Sequence, residues 1–214
     1  TLFRSVETRE DRDDTLICFF SDHGDHLGDH HAWQKESYFE QACHIPFLLS
    51  WPGGPGVLHK AAGRRDNQLV CLTDLFGIAT YAAGNLQIRD GHPIMEVLAG
   101  KENAREILFA CYGRPGTPQF KTMIRWGDWK YIYMANGGRE QLFHLGEDPD
   151  ERILYNAGQP HIIEKMQKWN FDFCGRKGLL SAREGAAVKH FPYKERPRLR
   201  IRQFDLSGGV HDFG

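Results

Sequence analysis

Asp22 and His23 stand at the end of the apolar run Thr15 to Phe20, and Lys35 follows twelve residues later. A carboxylate oxygen and an imidazole nitrogen are both metal donors, and an ammonium can offset negative charge on an oxyanion. These three side chains therefore read as half of a metal-and-anion site. They lie in a dense polar loop, Ser21 to His31, that holds three carboxylates (Asp22, Asp25, Asp29) and four imidazoles (His23, His26, His30, His31). Three chemical readings follow from the loop itself. Asp29-His30-His31 has the composition of an Asp-His-His phosphoesterase triplet, but it lies deep in the loop and does not leave a strand directly. A self-contained histidine-rich metal site is a second reading, although the spacing fits none of the usual zinc patterns. In the third, Asp25, His26 and Asp29 are solvated bystanders and only Asp22-His23 does chemistry.

The elements around the loop explain why the first pair stands apart. A run that is apolar throughout predicts a strand over Thr15 to Phe20, buried on both faces in a parallel sheet. Ligands of open α/β sheets gather in loops at the carboxyl ends of such strands. The chain before it, Thr1 to Asp11, has the pattern of a helix end. The spacing predicts a short helix over Lys35 to Ala42, a second buried strand over Pro46 to Trp51, a helix over Leu75 to Ala83 that Thr73 caps and Gly84 ends, and a helical turn over Ile94 to Leu98.

From about Glu106 the pattern changes to short aromatic and β-branched runs between turn residues. Ile107 to Tyr112, Phe120 to Arg125, Lys130 to Met134 and Gln141 to Leu145 predict an antiparallel meander. A helix from Pro160 to Cys174, ended by Gly175, places Ile162, Met166, Trp169 and Phe173 on one face to cover it. The predicted fold class is α/β: residues 1–105 form part of a larger α/β domain, residues 106–177 a small antiparallel sheet packed on a C-terminal helix, and residues 178–214 an extended tail. In that tail the run Lys194 to Arg202 alternates arginines, as a solvated edge segment, an inter-subunit arm or a contact to an anionic substrate would.

Composition bounds the partners. The chain has 214 residues, 41% hydrophobic, with 27 Lys and Arg against 28 Asp and Glu. This balance supplies no field for nucleic acid or anionic membrane, and no stretch is long and apolar enough to span a bilayer. The five cysteines include no CxxC pair, and four lie in apolar or aromatic runs. They read as reduced core residues, which favours a cytoplasmic setting, while any targeting signal would lie upstream of Thr1.

The stretch SDHGDHLGDHHAWQKESYFEQACHIPFLLSWPG (Ser21 to Gly53) resembles the second conserved block of the sulfatase family, within the alkaline phosphatase-like superfamily. The block runs from a strand ending in Ser-Asp-His-Gly through Leu-Gly-x-His, Trp-x-Lys and an aromatic-Glu helix to a strand ending in Trp-Pro-Gly. The likeness continues through LVCLTDLFGIATYAAG, DGHPIMEVLAG and MIRWGDWKYIYMANGGREQLFHLGEDPDE, covering about residues 2 to 175. The resemblance implies that Asp22 and His23 ligate a divalent metal, with calcium expected and manganese or zinc admitted by the imidazole. It implies that Lys35 contacts a sulfate group. Arg114, in the Gly/Pro-rich loop Tyr112 to Pro118, is a candidate for the substrate pocket, because loops carry specificity.

The family's Cys/Ser-x-Pro-x-Arg motif, whose first residue becomes the formylglycine nucleophile, does not occur in this sequence. The expectation is therefore a C-terminal part of a sulfate ester hydrolase, inactive alone, whose partners are a sulfate ester and its own N-terminal part. Such a part would leave an open sheet edge and self-associate. A phosphonate or phosphate monoester hydrolase of the same superfamily, or a noncatalytic binding module, are the alternatives.

Overall fold

The computed structural model describes residues 2–54, 56, 63–195, 203–204 and 210–211. Helix α1 (Leu2–Glu7) leads to strand β1 (Ile17–Phe20), then a polar loop, the single turn α2 (Glu40–Cys43) and strand β2 (Phe47–Ser50). Helices α3 (Asp74–Ala82) and α4 (Ile94–Leu98) follow. Strands β3 (Ile107–Tyr112), β4 (Lys121–Trp126), β5 (Trp129–Met134) and β6 (Arg139–His144) form a four-stranded antiparallel sheet in the order β3-β4-β5-β6. The long helix α5 (Pro160–Arg176) precedes two short strand pairs, β7 (Arg183–Glu184) with β8 (Ala187–Val188), and β9 (Gln203–Phe204) with β10 (Val210–His211).

The meander and its covering helix match expectation. One face of α5 carries Ile162, Met166 and Phe173 into a core with Phe120, Ile124, Tyr131, Tyr133 and Leu142, and Trp169 packs against its margin. Phe109 stacks on Phe173 with ring centroids 4.8 Å apart, and Trp126 meets Trp169 edge-on at 5.4 Å. Such pairs add to simple area burial. Helix α5 runs past the expected stop at Gly175, and it is Gly178, at φ 69, that adopts the left-handed conformation typical of a helix terminus.

The first sheet differs from expectation. Strand β1 pairs with β2 antiparallel, Cys18 opposite Leu49 and Phe19 opposite Leu48. Leu16, Cys18, Phe47, Leu49 and Trp51 pack against Ile78, Ile94 and Met95 of α3 and α4. Only one face is covered in this way. On the other, Phe19 is 47% and Leu48 59% exposed among the described residues. A run apolar at every position does not say how many of its faces the same chain covers, and here the helices lie on one side.

Beneath α3, Asp74 is fully buried and accepts from both guanidinium nitrogens of Arg105 at 2.6 and 2.9 Å, from Cys71 N at 2.8 Å and from His92 N at 2.7 Å. This saturated carboxylate joins three separate segments. Of the tail, the arginine run beyond Glu195 lies outside the described residues. No helix among the described residues is long and apolar enough to cross a membrane.

Candidate active site

Strand β1 leads to Asp22 and His23, where the chain bends at Asp22 and Gly24 then docks on α2. A Cβ at Gly24 would lie 1.9 Å from the Gln41 carbonyl oxygen, and Gly24 N donates to Ala42 O at 2.9 Å. Only glycine allows the strand end to dock this closely on α2. Ser21 Oγ donates to His23 O at 2.6 Å, and His23 N donates to Asp22 Oδ1 at 3.1 Å. His23 Nδ1 lies 2.7 Å from Gly24 O. A carbonyl only accepts, so Nδ1 carries the proton, and in the neutral ring Nε2 keeps its lone pair. That lone pair faces Asp22 Oδ2 at 3.4 Å.

A carboxylate oxygen and an imidazole nitrogen set this close could share one cation, a proton or a metal ion. With ligand bonds of roughly 2.0 to 2.5 Å, one divalent ion fits between them. Asp22 is exposed and His23 half-buried, so the remaining coordination positions open to solvent. The described residues hold no group of three or more His, Cys, Asp or Glu able to hold a metal, so this pair could supply two ligands at most.

Two of the other three imidazoles of the loop, His26 and His30, serve packing, and His31 is exposed. His26 is buried, with Nε2 2.5 Å from Ser37 Oγ, and His30 stacks on Phe39 at 3.9 Å between ring centroids. The loop closes on itself through His26 N to Gln34 O at 3.0 Å, Gly28 N to Ala32 O at 3.0 Å, and Asp25 Oδ1, which accepts from Leu27 N and Gln34 N. Leu27, His30, His31 and Gln34 all have positive φ, between 50 and 65°. Four such non-glycine residues in eight positions are costly, and they persist because this hydrogen-bonded loop over-determines them.

Lys35 is exposed and follows the last of these residues. The helix expected over Lys35 to Ala42 forms only from Glu40, because Phe39 is extended and Ser37 Oγ accepts from Phe39 N at 3.2 Å. The segment thus runs along the ends of β3 and β4. Lys35, Glu36, Ser37 and Tyr38 line one wall of a cleft of about 160 Å³, and Ala110, Cys111, Tyr112 and Lys121 line the other. Among the described residues no hydrogen bond or ion pair joins Lys35 to Asp22 or His23. Arg114 is exposed in the turn after β3, with its carbonyl accepting from Thr117 Oγ1 at 2.7 Å, and it does not line this cleft. Tyr112, two residues earlier, does.

A buried ion cluster holds the segment in place. Lys130, 1% exposed on β5, donates to Glu40 Oε1 at 2.8 Å and makes an ion contact with Glu151 Oε1 at 2.9 Å. Glu151 Oε2 in turn accepts from Glu40 N at 2.6 Å. Burial pushes the Glu151 carboxyl above the usual carboxylate range, against the opposing pull of Lys130. The three charges lie in separate segments, the start of α2, strand β5 and the acidic turn after β6, and nothing in the sequence joins them. Only Lys130, a charge inside an aromatic strand run, carried a signal in sequence; Glu151 lies in an acidic turn where it does not stand out.

Residues 1–84 match the family model described as Sulfatase. The chain is 35% identical over 142 residues to the choline-sulfatase of Rhizobium meliloti (strain 1021), a match covering 65% of this chain and 26% of that protein. It is 30% identical over 169 residues to arylsulfatase K of Xenopus laevis, covering 72% of this chain and 30% of the relative. Among solved structures, the phosphonate monoester hydrolase of Agrobacterium radiobacter superposes with a TM-score of 0.66 at 25% identity, covering 84% of this chain and 38% of that one. A 2-O GAG sulfatase gives 0.66 at 18% identity, covering 83% and 40%, a likeness of fold. The fold is mixed α/β of the alkaline phosphatase-like kind, and the chain belongs to the sulfatase family. The matches span less than a third of the length of these two curated relatives.

Proposed function

We infer that this chain is part of a metal-dependent hydrolase of sulfate esters, and that its share of the machinery is Asp22, His23 and Lys35. The observation that carries the reading is the Asp22 Oδ2 and His23 Nε2 pair, set 3.4 Å apart with the imidazole tautomer fixed by Gly24 O. When bound there, a divalent cation, calcium first and manganese or zinc next, would polarise an ester oxygen as a Lewis acid. Asp22 and His23 orient that ion from one side. Lys35 contributes an ammonium to a nonbridging oxygen as negative charge moves onto the departing group. In this reading the formylglycine nucleophile and further carboxylates come from outside these 214 residues, so the chain alone hydrolyses nothing. Family membership and the two sulfatase relatives support sulfate as the transferred group.

The phosphonate monoester hydrolase likeness favours a second reading, in which a phosphonate or phosphate monoester takes the same place. Turnover of an aryl sulfate against phenyl phosphonate by the protein with its preceding sequence separates the two. Sulfate turnover should dominate, and Lys35→Ala should lower kcat at least tenfold. Dominant phosphonate turnover would transfer the conclusion to the second reading, and an unaltered kcat would remove Lys35 from the mechanism. The uncovered face at Phe19 and Leu48 supports a further proposal, that the chain packs this face against the rest of its own protein, or self-associates without it.

A further inference from the structure

We propose that Asn136 is a modification site, whose side-chain amide is lost by spontaneous deamidation when the strap Ala187 to Lys194 lifts from the β5-β6 turn. The aspartate so formed no longer seats the outer end of the strap. This inference goes beyond the hydrolase reading and does not depend on it.

Asn136 is the only asparagine of the sequence that is followed by glycine, the pairing that leaves the next backbone nitrogen least hindered. Two separate structural demands put the pair here. The strap demands the amide: Asn136 Nδ2 donates to Lys194 O at 2.8 Å, and Asn136 Oδ1 accepts from Lys194 N at 2.8 Å. An amide donates and accepts at once, and an ionised carboxylate only accepts. The turn demands the glycine. Gly137 has φ 84, and a Cβ there would lie 3.2 Å from Tyr193 Cβ.

Deamidation begins when the Gly137 nitrogen, its proton lost to water, attacks Asn136 Cγ. The bond from Cγ to the side-chain nitrogen breaks and ammonia leaves. Water then opens the cyclic imide at either carbonyl, which gives aspartate or isoaspartate. In the structure the strap occupies both reacting groups. Gly137 N donates to Phe191 O at 2.9 Å, and the amide that must swing onto this nitrogen is clamped by Lys194. The inner end of the strap is tied down. There the Tyr133 hydroxyl reaches Val188 O at 3.1 Å and Lys189 O at 2.9 Å, Phe191 N donates to Ala135 O at 2.8 Å, and Val188 and Phe191 pack on the core. The outer end is exposed from Pro192 to Glu195. Lifting is therefore a local opening, less costly than global unfolding, and the rate of deamidation reads its population. In the product an oxygen faces Lys194 O where an N–H stood, and isoaspartate also adds a carbon to the main chain of the turn.

The test follows the tryptic peptide Tyr131 to Arg139 by mass and chromatography while the 214-residue chain stands at mildly alkaline pH. The folded wild type should lose the Asn136 amide at least about tenfold more slowly than the same chain in urea, as a local opening of modest free energy dictates. Lys194→Pro removes the N–H that Asn136 Oδ1 accepts, and Tyr133→Phe loosens the strap from beneath. Each should speed the loss several-fold, with aspartate and isoaspartate both formed. Lys194 is exposed at the end of the strap, so its variant folds whatever the second one does. Equal rates in the wild type and Lys194→Pro, or in the folded and urea-unfolded chain, would overturn the gate. Aspartate as the sole product would overturn the imide route. Hydrogen exchange of Asn136→Asp checks the consequence: the Lys194 amide should exchange at least about tenfold faster than in the wild type, and an unchanged rate would overturn release of the strap.

Discussion

Lys130→Met tests whether the ion cluster, rather than the loop alone, holds the Lys35 segment on the meander. The substitution preserves volume and removes a buried ammonium that touches Glu40 at 2.8 Å and Glu151 at 2.9 Å. Glu151 is fully buried and would keep a charge with no counter-ion, whereas Glu40 is about a quarter exposed and can turn to water. Breaking one side of a buried pair costs about 3–5 kcal/mol, and the partial exposure of Glu40 places this case near the lower end, about 3 kcal/mol. For a chain of this size that is a fall in Tm of roughly 6–12 °C. The Glu151 carboxyl already lies above its ordinary value because of burial, and loss of Lys130 raises it further. A raised folded-state pKa means that the folded form holds the proton more tightly than the unfolded form. The associated stability is present at low pH and disappears as pH rises through the folded value. The penalty of Lys130→Met should therefore be largest at neutral pH and shrink as pH falls towards the carboxylate range. Urea unfolding of both proteins across pH 5 to 8 measures it, with Lys130→Met/Glu151→Leu as the control that removes the stranded charge and recovers most of the loss. A penalty below about 1 kcal/mol, or one independent of pH, would refute the reasoning.

Three further outcomes follow from other sites. Asp74→Ala should cost about 3–5 kcal/mol in denaturant unfolding, because Arg105 loses its buried counter-charge and two backbone N–H groups lose their acceptor; a loss under 1 kcal/mol would contradict the bidentate geometry. Burial pushes the thiols of Cys43 and Cys174 up to about 11, so both should resist alkylation at pH 8 in the folded chain and react on unfolding, as mass mapping of labelled peptides would report. Gln34→Val places a β-branched side chain at φ 65 and should destabilise by about 1–2 kcal/mol, whereas Gln34→Gly should be close to neutral; equal losses by calorimetry would remove backbone strain as the cause.

The meander was legible because each of its strands is a short aromatic run bounded by turn residues, and β3 begins and ends where the pattern places it. The α5 face was legible for the same reason at helical period. The pairing of β1 was not, since an apolar run carries no mark of direction, and antiparallel β2 lies across a loop whose path depends on Gly24 and four left-handed residues. The Lys35 segment failed as a helix because Ser37 and Phe39 are committed to the loop, through His26 and His30. In the candidate site, Asp22-His23 could be picked out by position after a strand. The cleft could not, because Tyr38, Tyr112 and Lys121 converge only once the meander folds against residues 35–38.

The bond from Glu40 N to Glu151 Oε2 joins positions 111 residues apart, and the Lys130 bond to Glu40 spans 90. Both close long loops, and contacts of such high sequence separation are the late ones on a folding route, since chain entropy must be lost before they reward it. Hairpins β3-β4, β4-β5 and β5-β6 are local and can form first, with α5 docking on them. The order that results makes the completed meander the template on which the Lys35 segment sets. A nascent chain emerging from the ribosome would thus hold the Lys35 segment unplaced until residue 151 has been synthesised, so this face of the molecule is assembled from its C-terminal side backwards.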